Sequence, residues 1–232
     1  MIRVFIGYDS QESVAYSVLA HSIMKHAKTP ISITPLSIWQ LPMTRARSEY
    51  QSTEFSFSRF LVPYLCGYEG KAIFMDSDML CKADLSELQT DDYKAVSVVK
   101  HDYTPKEAPK FLGQRQSVYE KKNWSSVMVF NNALCKNLTP KVVNEASGLY
   151  LHQFKWLADD SMIGSLDNRW NHLVSEDGQC PIDEAKILHF TLGSPCFRKY
   201  RECPGSRDWY QMQDEMLFYN KIGECLERAT GT

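Results

Sequence analysis

Two apolar runs separated by one amphipathic stretch constrain most strongly what this chain can become. Ile2-Arg3-Val4-Phe5-Ile6 has the length and β-branched content of a buried strand, and Ile31-Ser32-Ile33-Thr34 alternates like a half-buried one continuing toward Ile38. Between them Gly7-Tyr8-Asp9 makes a loop, and Val14, Val18, Leu19 and Ile23 recur at helical spacing as far as Lys28, where Thr29-Pro30 ends the helix. Strand, helix and strand in this order form a βαβ unit, whose crossover joins parallel strands. The expectation is an α/β fold of the nucleotide-binding type.

A second strand signal carries chemistry with it. Ala72-Ile73-Phe74-Met75 runs straight into Asp76-Ser77-Asp78. Strand side chains alternate faces, so carboxylates two residues apart point the same way and can grip a hard divalent cation. Roughly one Asp-x-Asp arises by accident in a chain of this size, so the context carries the weight. Here the acids stand where a buried strand meets its loop, and in open α/β sheets ligands gather at the carboxyl ends of strands. A plain acidic turn is the alternative.

The remaining elements extend the pattern. Ser58 is expected to cap a helix through Cys66, and Ala95-Val96-Ser97-Val98-Val99 reads as a further buried strand. Residues 100–122 turn polar, broken by Pro105, Pro109 and Gly113, and suggest a mobile lid or acceptor loop. Val127-Met128-Val129-Phe130 is the next strand; helices are expected from Thr139-Pro140 and after Asp159-Asp160. Lys186-Ile187-Leu188-His189-Phe190 reads as a late strand ending on an imidazole, and Trp209 to Ala229 as a closing helix. With 232 residues and 44% apolar content, one domain is expected, 1–99 forming a nucleotide-binding half and 100–232 an acceptor and metal-completing half.

Charge narrows the partners. Lys and Arg number 26 against 28 Asp and Glu, a formal charge of −2, and no basic block stands out, which argues against nucleic acid. The seven cysteines are odd in number, scattered and without a Cys-x-x-Cys pair, as in a reduced, cytoplasmic protein, and Cys196 and Cys203 read as packing residues. No secretory leader pattern or membrane-spanning run is read from the sequence, so the sequons at Asn123 and Asn137 are taken as coincidental.

In order, VFIGYDS, SRFLVPYL, IFMDSDMLCKADLSEL, SSVMVFNN, ADDSMIGSLDNRWN and ILHFTLGSPCF resemble glycosyltransferase family 8 and its bacterial and viral relatives over nearly the whole chain. The resemblance implies a GT-A fold, a Rossmann-like, mixed but mostly parallel sheet flanked by helices. It also implies transfer of a sugar from a nucleoside diphosphate, usually UDP, to a carbohydrate, lipid or protein acceptor with retained configuration. Manganese, or magnesium, is the implied ion, with Asp76, Asp78 and His189 matching the metal ligands. Arg59 matches the donor-contacting arginine, and Asp159 and Asp160 fall at the second acidic motif beside the donor sugar. Ser77, Gly193 and Arg198 complete the implied donor-binding set. The chain departs from the family at Trp124-Ser125-Ser126, where Asn-Ala-Gly is usual, and after Gly193, where Ser194-Pro195 stands in place of Lys-Pro.

Each residue also has an ordinary reading. Tyr8 and Asp9 could face a base and ribose, or form a turn with a helix cap at Asp9 or Ser10. Arg59 could pair with Glu54 or another surface acid, Asp160 could cap a helix, and His189 alone could be a buried histidine satisfied by backbone. Trp124, Trp156, Trp170 and Trp209 are core residues unless one meets an acceptor sugar, with Trp124 favoured. Two further functions stay open: a sugar-nucleotide-binding protein without transferase activity, and, last, a nucleotidyltransferase, which would need a Gly-rich basic loop that the sequence lacks.

Overall fold

A computed structural model describes residues 1–47, 51–102, 119–176 and 178–218. Strands β1 (Ile2–Gly7), β2 (Ile31–Leu36), β3 (Lys71–Met75), β5 (Val96–Val98), β6 (Val127–Asn131) and β7 (Ile163–Ser165) form a six-stranded sheet in the order β2-β1-β3-β6-β5-β7. Only β6 runs against the others, so the sheet is mixed and mostly parallel. A smaller sheet pairs β4 (Met79–Cys81), β9 (Ile187–His189) and β8 (His172–Leu173) in the order β4-β9-β8.

Alternation along the strands builds two cores. Val4, Ile6, Ile73, Met75, Val127 and Val129 face helix α1 (Ser13–His26) through Leu19 and Ile23. Phe5, Phe74, Met128, Phe130, Val96 and Val98 face the opposite layer with Phe55, Phe60 and Trp156. Central strands are therefore buried on both faces, which is why they read as continuous apolar runs. Each fully buried Phe contributes about 2 to 3 kcal/mol. A third core sits under the small sheet, where Leu80, Leu188 and Phe190 meet Trp209 and Met212 of α5 (Ser206–Leu217).

Several local expectations change. The segment at Ser58 is not a single capped helix: a 3-10 turn over Ser58–Leu61 leads into α2 (Val62–Leu65), and Phe57, not Ser58, occupies the first cap. Pro63, lacking an N–H, opens α2 and prevents continuous i→i−4 bonding across the junction. The helix expected after Asp159-Asp160 is a 3-10 turn, Asp160–Met162, that gives way to β7. Thr139 caps α3 (Pro140–Glu145) as read, and a short α4 (Gly148–His152) follows. The expected lid falls largely on residues 103–118, and the end of the expected closing helix on 219–229, both outside the described residues.

Candidate metal centre

The register of the sheet brings four chain segments to one edge. Ile6 pairs with Met75, so the loop after β1 and the acids after β3 leave the sheet together. Gly7 is required there because a Cβ would come within 2.3 Å of the Phe55 ring. The antiparallel β6 delivers its start to the same edge, where the Asp76 N–H donates to Ser126 O at 3.0 Å. The chain then turns from β3 into β4, and Met79 pairs with His189 across the small sheet while the Phe190 N–H donates to Asp78 O at 2.9 Å. This ladder sets the imidazole beside the acids.

Asp76, Asp78 and His189 each offer a ligand atom, all within 4.8 Å of one another. His189 Nε2 stands 3.3 Å from Asp78 Oδ1 and 4.0 Å from Asp76 Oδ2. Around a small cation with bonds of about 2.1 Å, neighbouring ligand atoms are about 3 Å apart and opposite ones about 4.2 Å, so these separations suit one shared ion. Asp78 Oδ1 is buried with no hydrogen-bond donor among the described residues, which is the atom a cation would satisfy. Two carboxylates and one imidazole are a donor set that a divalent cation could take.

Arg59 lies inside this site. Its Nη1 is 2.9 Å from Asp76 Oδ1 and donates to Ser125 O at 2.8 Å, while its guanidinium lies over the Phe74 ring at 4.9 Å. It therefore neutralises one acid and leaves the other oxygen of Asp76 facing the imidazole. Its partner is Asp76 rather than the Glu54 considered from sequence. Ser77, between the two ligands, is buried and donates to Glu12 Oε2.

Glu12 was not singled out from sequence. Its buried carboxyl accepts from Ser77 and, at 3.1 Å, from Ser194, so it bridges the acid loop and the segment after His189. Burial pushes this carboxyl well above the ordinary range, and the neighbouring Asp78 charge adds to the rise. The Asp9-Ser10-Gln11-Glu12 spacing would be read as a capping box, which conceals the bridge. Asn171, also missed, is fully buried against His189.

The other expected residues are arranged around this cluster. Both Asp9 oxygens are engaged in capping, accepting from the N–H groups of Gln11 and Glu54, so a nucleotide hydroxyl would have to displace one of these bonds. Tyr8 is half-buried and stacks edge-on against Tyr16. Gly193 is buried at φ +146, where a Cβ would meet the Tyr200 ring at 2.2 Å, and Arg198 is exposed on the turn Arg198–Tyr200. Asp159 caps the turn before β7 by accepting from Ser161, and Asp160 is exposed and paired with Lys121 at 2.5 Å; neither belongs to the three-ligand cluster. Trp156, Trp170 and Trp209 are core, whereas Trp124 is half-buried and donates to His101 O.

The segment Trp124-Ser125-Ser126 has a defined use. Ser125 Oγ bonds His152 Nδ1 at 2.8 Å, in a nest formed by Phe57, Phe60 and Tyr119. Burial first, then the charges of Arg59 and Arg45, holds His152 down to about 3 from an ordinary 6.5. The unfolded chain therefore binds the proton more readily throughout that window. Stability due to neutral His152 is complete above pH 6.5 and is lost as pH falls toward 3, by up to about 1.4 kcal/mol per unit. Urea midpoints of wild type at neutral and mildly acidic pH should diverge more than those of His152→Gln; equal slopes would contradict this.

Comparison with known proteins agrees with this architecture. Protein CDI of Arabidopsis thaliana is 42% identical over 230 residues, covering 94% of this chain and 87% of that protein. Among solved structures, the glycosyltransferase GlyE of Streptococcus pneumoniae superposes with a TM-score of 0.61 at 13% identity over 92% of this chain, which spans 61% of GlyE. The galactosyltransferase LgtC, solved with donor and acceptor sugar analogs, gives 0.51 at 11% identity, over 91% of this chain and 95% of LgtC. No protein-family model matches the chain. The fold is that of GT-A glycosyltransferases. Among the described residues no helix is long and apolar enough to cross a membrane.

Proposed function

The chain belongs to the family of Protein CDI of Arabidopsis thaliana, and we propose that it is a metal-dependent, retaining glycosyltransferase related to family 8. Its donor is a nucleoside-diphosphate sugar, UDP-linked and hexosyl or similar, its acceptor a carbohydrate, lipid or protein, and its setting cytoplasmic. One observation carries the reading: two carboxylates and an imidazole converge at the carboxyl edge of a glycosyltransferase-like sheet, with one carboxylate oxygen buried and lacking a donor among the described residues.

Departure of a nucleoside diphosphate from an anomeric carbon concentrates negative charge on phosphate oxygens, and a fixed positive group offsets it. Manganese or magnesium held by Asp76, Asp78 and His189 would supply that Lewis acid. Arg59 offsets the charge of Asp76 and orients its carboxylate. Tyr8, Asp9, Ser77, Gly193 and Arg198 are the further residues assigned to donor binding. Asp160 and Asp159 are the acids assigned to the donor sugar, with Lys121 holding Asp160 in place.

A thermal-shift panel of nucleoside diphosphates with and without Mn²⁺ tests this reading. UDP at about a hundred times its dissociation constant should add roughly 2.7 kcal/mol, a rise of about 5 to 10 °C for a domain of this size, only when Mn²⁺ is present. A panel in which no diphosphate shifts the transition, with or without the ion, would reject it.

A further inference from the structure

Resting on the metal centre proposed above, we propose that Asn171 is a positioning residue that fixes the tautomer of His189 and so leaves Nε2 bare toward the ion. The argument follows donors and acceptors through one buried chain. Asn123 O is a carbonyl and can only accept, so Ser126 Oγ, 2.6 Å away, gives its proton there. That hydroxyl must then accept from its other neighbour, Asn171 Nδ2, at 2.8 Å. His101 Nε2, 3.0 Å from the same nitrogen, is a second acceptor on that side. The amide is thereby oriented with its NH₂ toward Ser126 and its oxygen toward His189.

Asn171 Oδ1 lies 3.0 Å from His189 Nδ1. A carbonyl oxygen cannot donate, so Nδ1 carries a ring proton and Nε2 is the nitrogen turned toward the acids and available to an ion. Nε2 is the atom 3.3 Å from Asp78 Oδ1, so the ring presents that nitrogen to the acids. The same frame holds the first ligand, because Ser126 O accepts the Asp76 N–H at 3.0 Å. Ser126 therefore connects both arms of the site, and Asn171, 0% exposed, has no solvent route by which to rotate freely. Partners of this kind orient a ligand ring and raise its basicity.

The test begins on metal-free protein, so that it is independent of whether the enzyme turns over. Two-bond ¹H–¹⁵N correlations of His189 should show a protonated Nδ1 in wild type; a ring whose Nδ1 carries no proton overturns the inference. Mn²⁺ binding, read from loss of the free-ion EPR signal, should weaken about 10- to 100-fold in Asn171→Leu. Asn171→Asp, which keeps an acceptor for Nδ1–H, should lose less affinity than Asn171→Leu. If Asn171→Leu does not fold, Ser126→Ala releases the amide and should give a mixed tautomer with intermediate affinity. Wild-type affinity together with the wild-type tautomer in the folded variant tested rejects the assignment. Should wild type bind no Mn²⁺, the proposed function fails while the tautomer measurement still decides the role of Asn171.

Discussion

Asp78→Ala should abolish Mn²⁺ binding and lower donor hydrolysis and sugar transfer by about a thousandfold or more, while the metal-free protein unfolds at the same urea concentration as wild type or a higher one. The opposite signs have one cause. Asp78 Oδ1 is buried without a hydrogen-bond donor among the described residues, and its charge raises the Glu12 carboxyl beyond what burial alone does. Removing it relieves that repulsion and deletes a ligand in the same step. Sites that concentrate like charge before binding their cation lower the stability of the empty fold. Urea unfolding, Mn²⁺ EPR and product formation on one preparation check all three; turnover close to wild type would reject the metal reading, and a large stability loss would reject the repulsion.

Arg59→Met should act in the reverse sense. The Arg59 and Asp76 side chains are 7% and 14% exposed, and breaking a buried pair by removing one member costs about 3 to 5 kcal/mol. Met keeps much of the side-chain length but removes the guanidinium that lies over Phe55 and Phe74, so the loss reports on charge, on that stacking and on the bond to Ser125. In metal-free protein the urea midpoint should fall accordingly. Saturating Mn²⁺ should recover part of the loss, because the ion replaces a departed positive charge and meets less repulsion on entry. A variant as stable as wild type without metal would show that the pair contributes nothing; one that Mn²⁺ fails to rescue would separate Arg59 from the metal centre.

What could be read in advance was local. The βαβ opening, the strand before Asp76 and the strand ending on His189 are each contiguous apolar runs, and burial on both faces makes such runs conspicuous. Their order supplied the fold resemblance. Less visible were the pieces held by partners distant in the chain. β4 and β8 are three and two residues long and exist because β9 lies between them. Glu12 resembles a capping acid and Asn171 an ordinary loop amide, since neither spacing nor hydropathy records that Ser194 or His189 stands opposite. After Asp160, Ile163 and Gly164 formed an edge strand because Val96 and Ser97 lay open to pair with them, a tertiary choice that helix propensity does not foresee.

The ladder between β4 and β9 carries a consequence for how the protein matures. Its two strands come from segments more than about a hundred residues apart, and contacts of such sequence separation form late. During synthesis, a ribosome-bound chain that has exposed both aspartates but not yet the imidazole would hold an incomplete grip with little affinity. Acquisition of the ion would then wait on the synthesis and pairing of β9, and a product aborted before His189 would be unable to hold it.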